Sequence, residues 1–194
     1  MAQNIIFLDI DGVLNWEHSK SYVAADNGTI YLGIDEIRVR RLAQIVNATD
    51  AKIVLTSDWG QNYLINAYKQ EDKCCKYLSN KLRKQGLKVF DKINWTRFKR
   101  FERADAILDW LQKHPEVTNY VIIDDEIFYG YAKPEIEEHL IYCYDNVDGH
   151  GELSGLTNNL VIHAINILER REKGYCIDED IKAYYHKKFG INKG

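Results

Sequence analysis

Asp9 and Asp11 stand two residues apart at the end of an apolar run, Ile5-Ile6-Phe7-Leu8, and Gly12 follows at once. Residues two apart on a strand share a face, so the two carboxylates leave the strand end on one side. Gly12 lets the chain turn there at little steric cost. Adjacent carboxylates repel, and an apolar strand offers them no solvation. A cation or a shared proton between them resolves the conflict. Two other apolar runs also end in polar groups: Ile53-Val54-Leu55 in Thr56-Ser57, and Val121-Ile122-Ile123 in Asp124-Asp125. One Asp-Gly pair is ordinary turn chemistry; three polar strand ends in this order are not.

Oxygen ligands alone, from Asp9, Asp124 and Asp125, suit a hard cation such as Mg²⁺, which keeps waters and phosphate oxygens in its shell. A carboxylate beside such an ion and a phosphate can act as nucleophile. A second acid two residues on can protonate the leaving oxygen and then activate water. A hydroxyl such as Thr56 can donate to a phosphoryl oxygen, and one cationic side chain is needed to offset the equatorial charge. Arg103 is best placed for that, with Lys99 and Arg100 as rivals.

These groups need a scaffold that brings distant strand ends together. Apolar runs near residues 4–8, 51–57, 87–90, 119–125 and 139–143 read as five strands. Helical patterns lie between them: from an N-cap at Asp35 to about Ala48, over much of 61–85 in two pieces, from Ala104 to before Pro115, and from a Thr157 cap to Leu168. Asn27-Gly28 between Tyr22-Val23 and Thr29-Ile30-Tyr31-Leu32 is a hairpin signal, predicting a small flap over the end of the first strand. Strand–helix alternation predicts an α/β fold with a mainly parallel five-stranded sheet and helices on both faces. In such sheets ligands bind at the carboxyl ends of the strands.

The chain has 194 residues and a net charge of −3. That length fits one core, taken as residues 1–168, with a helical C-terminal extension over 169–194 and a short helix near 178–189. The overall charge singles out neither nucleic acid nor membrane as a partner. No apolar run is long enough to cross a membrane, and no signal-type segment opens the chain. Cys74, Cys75, Cys143 and Cys176 form no C-x-x-C pair and read as reduced thiols of a cytoplasmic protein. His18, His114, His139, His150, His163 and His186 show no ligand spacing. Asp145, Asp148 and His150 read as a solvated loop. Residues 95–103 interleave Trp95, Phe98 and Phe101 with Arg97, Lys99, Arg100 and Arg103, as single-strand binders do, though a solvated loop with core anchors explains them too.

Phe7-Leu8-Asp9-Ile10-Asp11-Gly12-Val13-Leu14-Asn15 resembles motif I of the haloacid dehalogenase (HAD) superfamily. Val54-Leu55-Thr56-Ser57 is similar to motif II; Arg103, Ile107, Trp110 and Leu111 to motif III; Ile122-Ile123-Asp124-Asp125 to the Asp-Asp form of motif IV. With Gly155-Leu156-Thr157, the resemblance extends over about residues 4–168 to small HAD domains found beside nucleic-acid repair modules. It implies a Rossmann-like α/β/α sandwich with a hairpin flap and no large cap. It also implies a Mg²⁺-dependent phosphatase acting on phosphate monoesters. Asp9 is then the nucleophile that becomes phospho-aspartate, and Asp11 the general acid and base. Thr56, Ser57, Gly12 and Arg103 bind substrate, with Arg103 in place of the usual lysine. Asp9, the Asp11 main-chain carbonyl, Asp124 and Asp125 hold the metal. The open site would admit a small metabolite, a nucleotide or a nucleic-acid end, and no obligate protein partner is implied. Small repair-linked relatives often carry Trp-Arg after motif II, where this chain has Trp59-Gly60.

Two other readings fit parts of the pattern. A phosphate-binding scaffold without turnover would accommodate the arginine and Gly60 but leaves Asp11 without a use. A receiver domain would use Asp91 as acceptor at the end of the third strand but has no place for Asp124-Asp125.

Overall fold

The computed structural model describes residues 3–16, 19, 21–26, 28–67, 69–94, 96–143, 155–177 and 179. Asn27, Trp95, Asp145, Asp148, His18, His150, His186 and nearly all of the predicted 178–189 helix lie outside them, as does the side chain of Arg100.

Five strands form one parallel sheet: β1 (Gln3–Leu8), β4 (Lys52–Leu55), β5 (Val89–Lys92), β6 (Val117–Asp124) and β7 (Leu140–Tyr142), in the order β5-β4-β1-β6-β7. Strand β1 is central, and its side chains alternate between two cores. Ile6 and Leu8 join a core with α1 (Glu36–Thr49), α2 (Lys73–Arg83) and α5 (Asn158–Leu168); Ile5 and Phe7 join one with α3 (Arg103–Gln112) and α4 (Pro134–Glu137). This is the expected Rossmann-like three-layer sandwich. The chain builds outward from β1 to β4 and β5, then returns to β6 on the other side. The order therefore reverses beside β1, and the carboxyl ends of β4, β1 and β6 meet at that switch point. The same order rules out the receiver reading, whose second strand would lie at the edge. Asp91 instead accepts a hydrogen bond from Trp110 Nε1 at 2.7 Å.

The flap is present as an antiparallel pair, β2 (Tyr22–Ala24) with β3 (Ile30–Leu32). Asp35 caps α1 by accepting from the Ile37 amide at 2.8 Å, and Thr157 caps α5. The expectation of helix over most of 61–85 needs correction. Among the described residues of this stretch only Lys73–Arg83 is α-helical, preceded by a 3₁₀ turn at Asp58–Gly60. Gln70 competes for the backbone between them: its side chain accepts from the Leu64 amide and donates to the Leu64 carbonyl, both at 2.8 Å. Asn66 adds a left-handed residue, so helix is locally outbid. The four-residue α4 was not foreseen.

After α5 the chain returns along the outer edge of β7. The Gly174 and Tyr175 amides donate to the carbonyls of Glu138 and Leu140, each at 2.7 Å, and Ile177 enters the α3–α4 core. The sheet edge is thereby covered rather than left open. No helix among the described residues is long and apolar enough to cross a membrane.

Asn119, buried on β6, donates to the Ile167 and Leu168 carbonyls at the end of α5, at 2.6 and 3.0 Å. Asn119→Ala leaves those carbonyls without their buried donor and should lower stability by about 1–3 kcal/mol, read as a reduced urea midpoint with an unchanged slope.

Candidate active site

Strand β1 ends at Leu8, and Asp9 follows with its amide donating to the Ile123 carbonyl of β6 at 3.0 Å. Its carboxyl group is thereby held between β1 and the end of β6. Oxygens of Asp9, Asp124 and Asp125 lie within 4.8 Å of one another, and Asp9 and Asp124 are buried. Arg103 opens α3 from the other side. It is 2 % exposed, and its Nη1 lies 2.6 Å from Asp124 Oδ2 and 3.2 Å from Asp9 Oδ1. The Phe128 ring lies 4.2 Å beneath the guanidinium, which suits its flat cationic face. Tyr131 donates its hydroxyl to Asp124 Oδ2 at 2.8 Å, and the Glu126 amide donates to Asp124 Oδ1 at 3.0 Å.

One buried cation does not balance three acids. Burial pushes the Asp9 carboxyl well above the usual carboxylate range, and Asp124, Asp125 and Asp11 push it further; Arg103 opposes them without prevailing. Burial, then Asp124, pushes Asp125 up to about 7. Burial works against the charge on Arg103, yet Asp124 and Asp9 outweigh it and keep the guanidinium protonated. The ion pair thus keeps Arg103 charged but does not cancel the upward push on the Asp9 carboxyl. A divalent cation would supply the missing charge, and the all-oxygen donor set fits Mg²⁺.

The Asp11 carboxylate is not one of these three. Asn15 Nδ2 donates to Asp11 Oδ1 at 2.7 Å, and Trp59 Nε1 donates to Oδ2 at 3.0 Å. Asn15, wholly buried, also donates to the Leu32 carbonyl of the flap at 3.0 Å and accepts from the Gly12 amide at 2.9 Å. Trp59 sits in the 3₁₀ turn after β4, with Tyr31 of the flap 5.0 Å from its ring. One side chain therefore joins Asp11 to the flap, and another joins it to the end of β4.

Thr56 follows β4, its amide donating to the Leu8 carbonyl at 2.9 Å. Its Oγ1 is buried and has no hydrogen-bond partner among the described residues. A buried hydroxyl without a partner carries a desolvation penalty that a ligand oxygen would relieve. Ser57, the neighbouring candidate, accepts from the Trp59 amide at 3.4 Å. Gly12 has φ +68°, and a Cβ there would fall 1.9 Å from Asp125 Oδ2. Its amide is already committed to Asn15, so Gly12 contributes space rather than a donor.

Asp9, Asp124, Asp125, Arg103 and Gly12 thus meet, while Asp11, Thr56 and Ser57 lie on the adjoining turns. Of the rivals to Arg103, Lys99 is exposed, with its ammonium 5.6 Å from the Phe101 ring. His114, His139 and His163 each bond to a main-chain carbonyl, at 2.7, 2.8 and 2.8 Å. Tyr131, Phe128 and the donors to Asp11 were not picked out from sequence. The donors to Asp11 had a signal in their positions: Asn15 closes the motif I stretch, and Trp59 follows Thr56-Ser57 by two residues.

The family described as "HAD domain in Swiss Army Knife RNA repair proteins" matches residues 5–148. The chain belongs to this family. It is therefore a member of the HAD superfamily, as its motif I suggested. Among solved structures, 3-deoxy-D-manno-octulosonate 8-phosphate phosphatase from Moraxella catarrhalis, in complex with magnesium, phosphate and KDO, aligns at 9 % identity and a TM-score of 0.44, covering 96 % of this chain and 93 % of that one. The same-named phosphatase from Yersinia pestis aligns at 13 % identity and a TM-score of 0.35, covering 91 % and 88 %. Likeness this distant does not speak for a shared activity. No curated protein matches the chain.

Two substitutions probe the packing of the site. Arg103→Met leaves buried Asp124 without its cation and should cost about 3–5 kcal/mol in metal-free urea unfolding; an unchanged midpoint would mean that the pair carries no structural weight. Gly12→Ala meets both the left-handed backbone and the Asp125 carboxylate. It should lose at least about 1–2 kcal/mol and abolish any Mg²⁺-dependent rise in the thermal midpoint.

Proposed function

We propose that this HAD-superfamily hydrolase is a Mg²⁺-dependent phosphatase, cleaving phosphate monoesters through a phospho-aspartate on Asp9. The observation that carries the reading is that three acids short of countercharge, and a buried Thr56 hydroxyl with no partner among the described residues, stand at the ends of neighbouring strands at one switch point. Side chains of Asp9, Asp124 and Asp125, with the Asp11 carbonyl, would hold the metal. Bound there, it offsets the charge of the phosphate and of the crowded carboxylates.

Arg103 orients Asp9 and offsets negative charge on the phosphoryl group; Thr56 Oγ1 donates to a phosphoryl oxygen, and Ser57 Oγ keeps its own proton for another. An oxygen of ionised Asp9 bonds to phosphorus as the ester P–O bond breaks, and Asp11 gives its proton to the departing alkoxide. Asp11, now a carboxylate, takes a proton from water as the water oxygen bonds to phosphorus and the Asp9–phosphorus linkage breaks. Phosphate leaves, and both acids return to their starting states. Asn15 and Trp59 position Asp11 for both transfers. A scaffold that only bound phosphate would have no use for an acid–base group held from two sides.

The absence of a large cap, which the family resemblance implies, is compatible with a metabolite, a nucleotide or a nucleic-acid end. The family's description, which concerns RNA repair, favours the nucleic-acid end. The four cysteines are free thiols, which fits the reducing cytoplasm.

Purified protein should hydrolyse p-nitrophenyl phosphate with Mg²⁺ and stop when EDTA is added. Asp9→Asn should fall to background while its thermal midpoint holds or rises, because one crowded acid is gone. Turnover unchanged in Asp9→Asn would remove the reading.

A further inference from the structure

The chain's charges are sharply segregated. Residues 73–101 contain ten Lys or Arg and one acid, Asp91, for a net of +9; in a chain of net −3, the remainder carries −12. The overall charge hides this basic block, which forms α2, β5 and the loop that leads to Arg103.

Helix α2 buries Cys74, Cys75, Leu78 and Leu82. Lys76, Ser79, Asn80 and Arg83 recur at helical spacing on the opposite side. With Lys69 and Gln70 they line a surface cavity of about 280 Å³ that has no acid in its wall. Four cations of the block are paired: Lys81 and Lys84 with Glu36, Lys73 with Asp26, Arg97 with Asp109. Lys69, Lys76 and Arg83 form no ion pair among the described residues. Lys76 and Arg83 lie seven residues apart, about 10 Å along a helix, further than one phosphate reaches.

The loop after β5 adds aromatic groups. Phe101 is 41 % exposed beside the Lys99 ammonium, and Phe98 lies 5.2 Å from the Arg97 guanidinium. Both basic elements are tied to segments that flank the candidate site. The loop begins where β5 ends, and Lys92 Nζ ties its base to the Gln61 carbonyl at 2.7 Å. Helix α2 reaches Trp59 through Cys75 Sγ, which donates to the Trp59 carbonyl at 3.4 Å, and reaches the flap through Lys73 and Asp26.

We infer that a single-stranded polynucleotide lies across the outward face of α2 and the loop over residues 93–102, with its phosphorylated end directed to the site beside Arg103. Spaced cations suit successive phosphates, and the exposed Phe101 ring beside the Lys99 ammonium suits a base. An acidic polypeptide would satisfy the charges but has no base to stack on the Phe101 ring. The direction of the strand end rests on the phosphatase reading; binding to the surface does not.

Fluorescence anisotropy of the full chain with a dye-labelled, 5′-phosphorylated oligoribonucleotide reads binding without turnover. Lys76→Glu with Arg83→Glu should weaken binding at least about tenfold at low salt and make the log–log salt slope shallower by about 1.4, for two lost contacts to a single strand. Lys76→Gln with Arg83→Gln should shift both in the same direction with less charge disturbance. Hydrolysis of p-nitrophenyl phosphate should be unchanged in both. Unaltered oligonucleotide affinity in the folded variants would overturn the inference, as would poly-glutamate competing as well as unlabelled oligonucleotide. Binding that follows these expectations in a protein without turnover would support the surface and count only against the phosphatase reading.

Discussion

Arg103 brings one guanidinium into a space shared by three carboxyl groups, and most of the site's physics follows from that shortfall. Its Nη1 touches both Asp9 and Asp124, Phe128 covers it from below, and Tyr131 adds a neutral donor to Asp124. These contacts fix the geometry but leave the charge unbalanced. Burial strengthens every interaction here and penalises each unmatched charge. The arrangement is therefore poised for a further cation, and a phosphate would in turn need that cation to approach the acids.

The sheet makes this crowding tolerable. Asp9 and Asp124 stand at the ends of neighbouring parallel strands, whose ladder fixes their separation through backbone pairing alone. Gly12 then admits Asp125 where any side chain would collide. Asp11 is held apart by Asn15 and Trp59, so the two motif I aspartates have different surroundings despite their shared origin. The proposed roles of nucleophile for Asp9 and proton donor for Asp11 need that difference, since identical surroundings would give them one chemistry. Through Asn15 and Tyr31 the same contacts reach the flap, so movement of the flap would be felt at Asp11.

Much of this was legible from residue order. The five strands, the hairpin, the Asp35 and Thr157 caps, and the gathering of Asp9, Asp124, Asp125 and Arg103 follow from apolar runs ending in polar groups, because parallel sheets align strand ends. Tyr131 and Phe128 were not legible: they come from a loop after β6 whose path depends on tertiary packing. The region between Trp59 and α2 misled because its polar residues resemble a helix surface, whereas Gln70 folds back on Leu64. The basic block was visible only in part, since net charge averages it with an acidic remainder, and only the structure shows which of its cations form no ion pair among the described residues.

The central claim is that these acids form one cation site completed by a divalent ion. Calorimetric titration of the metal-free protein with Mg²⁺ tests it most directly. One ion should bind per chain in the wild type, and the heat should vanish in Asp9→Asn and in Asp125→Asn. Absence of binding in the wild type, or binding that survives both substitutions, would contradict the account.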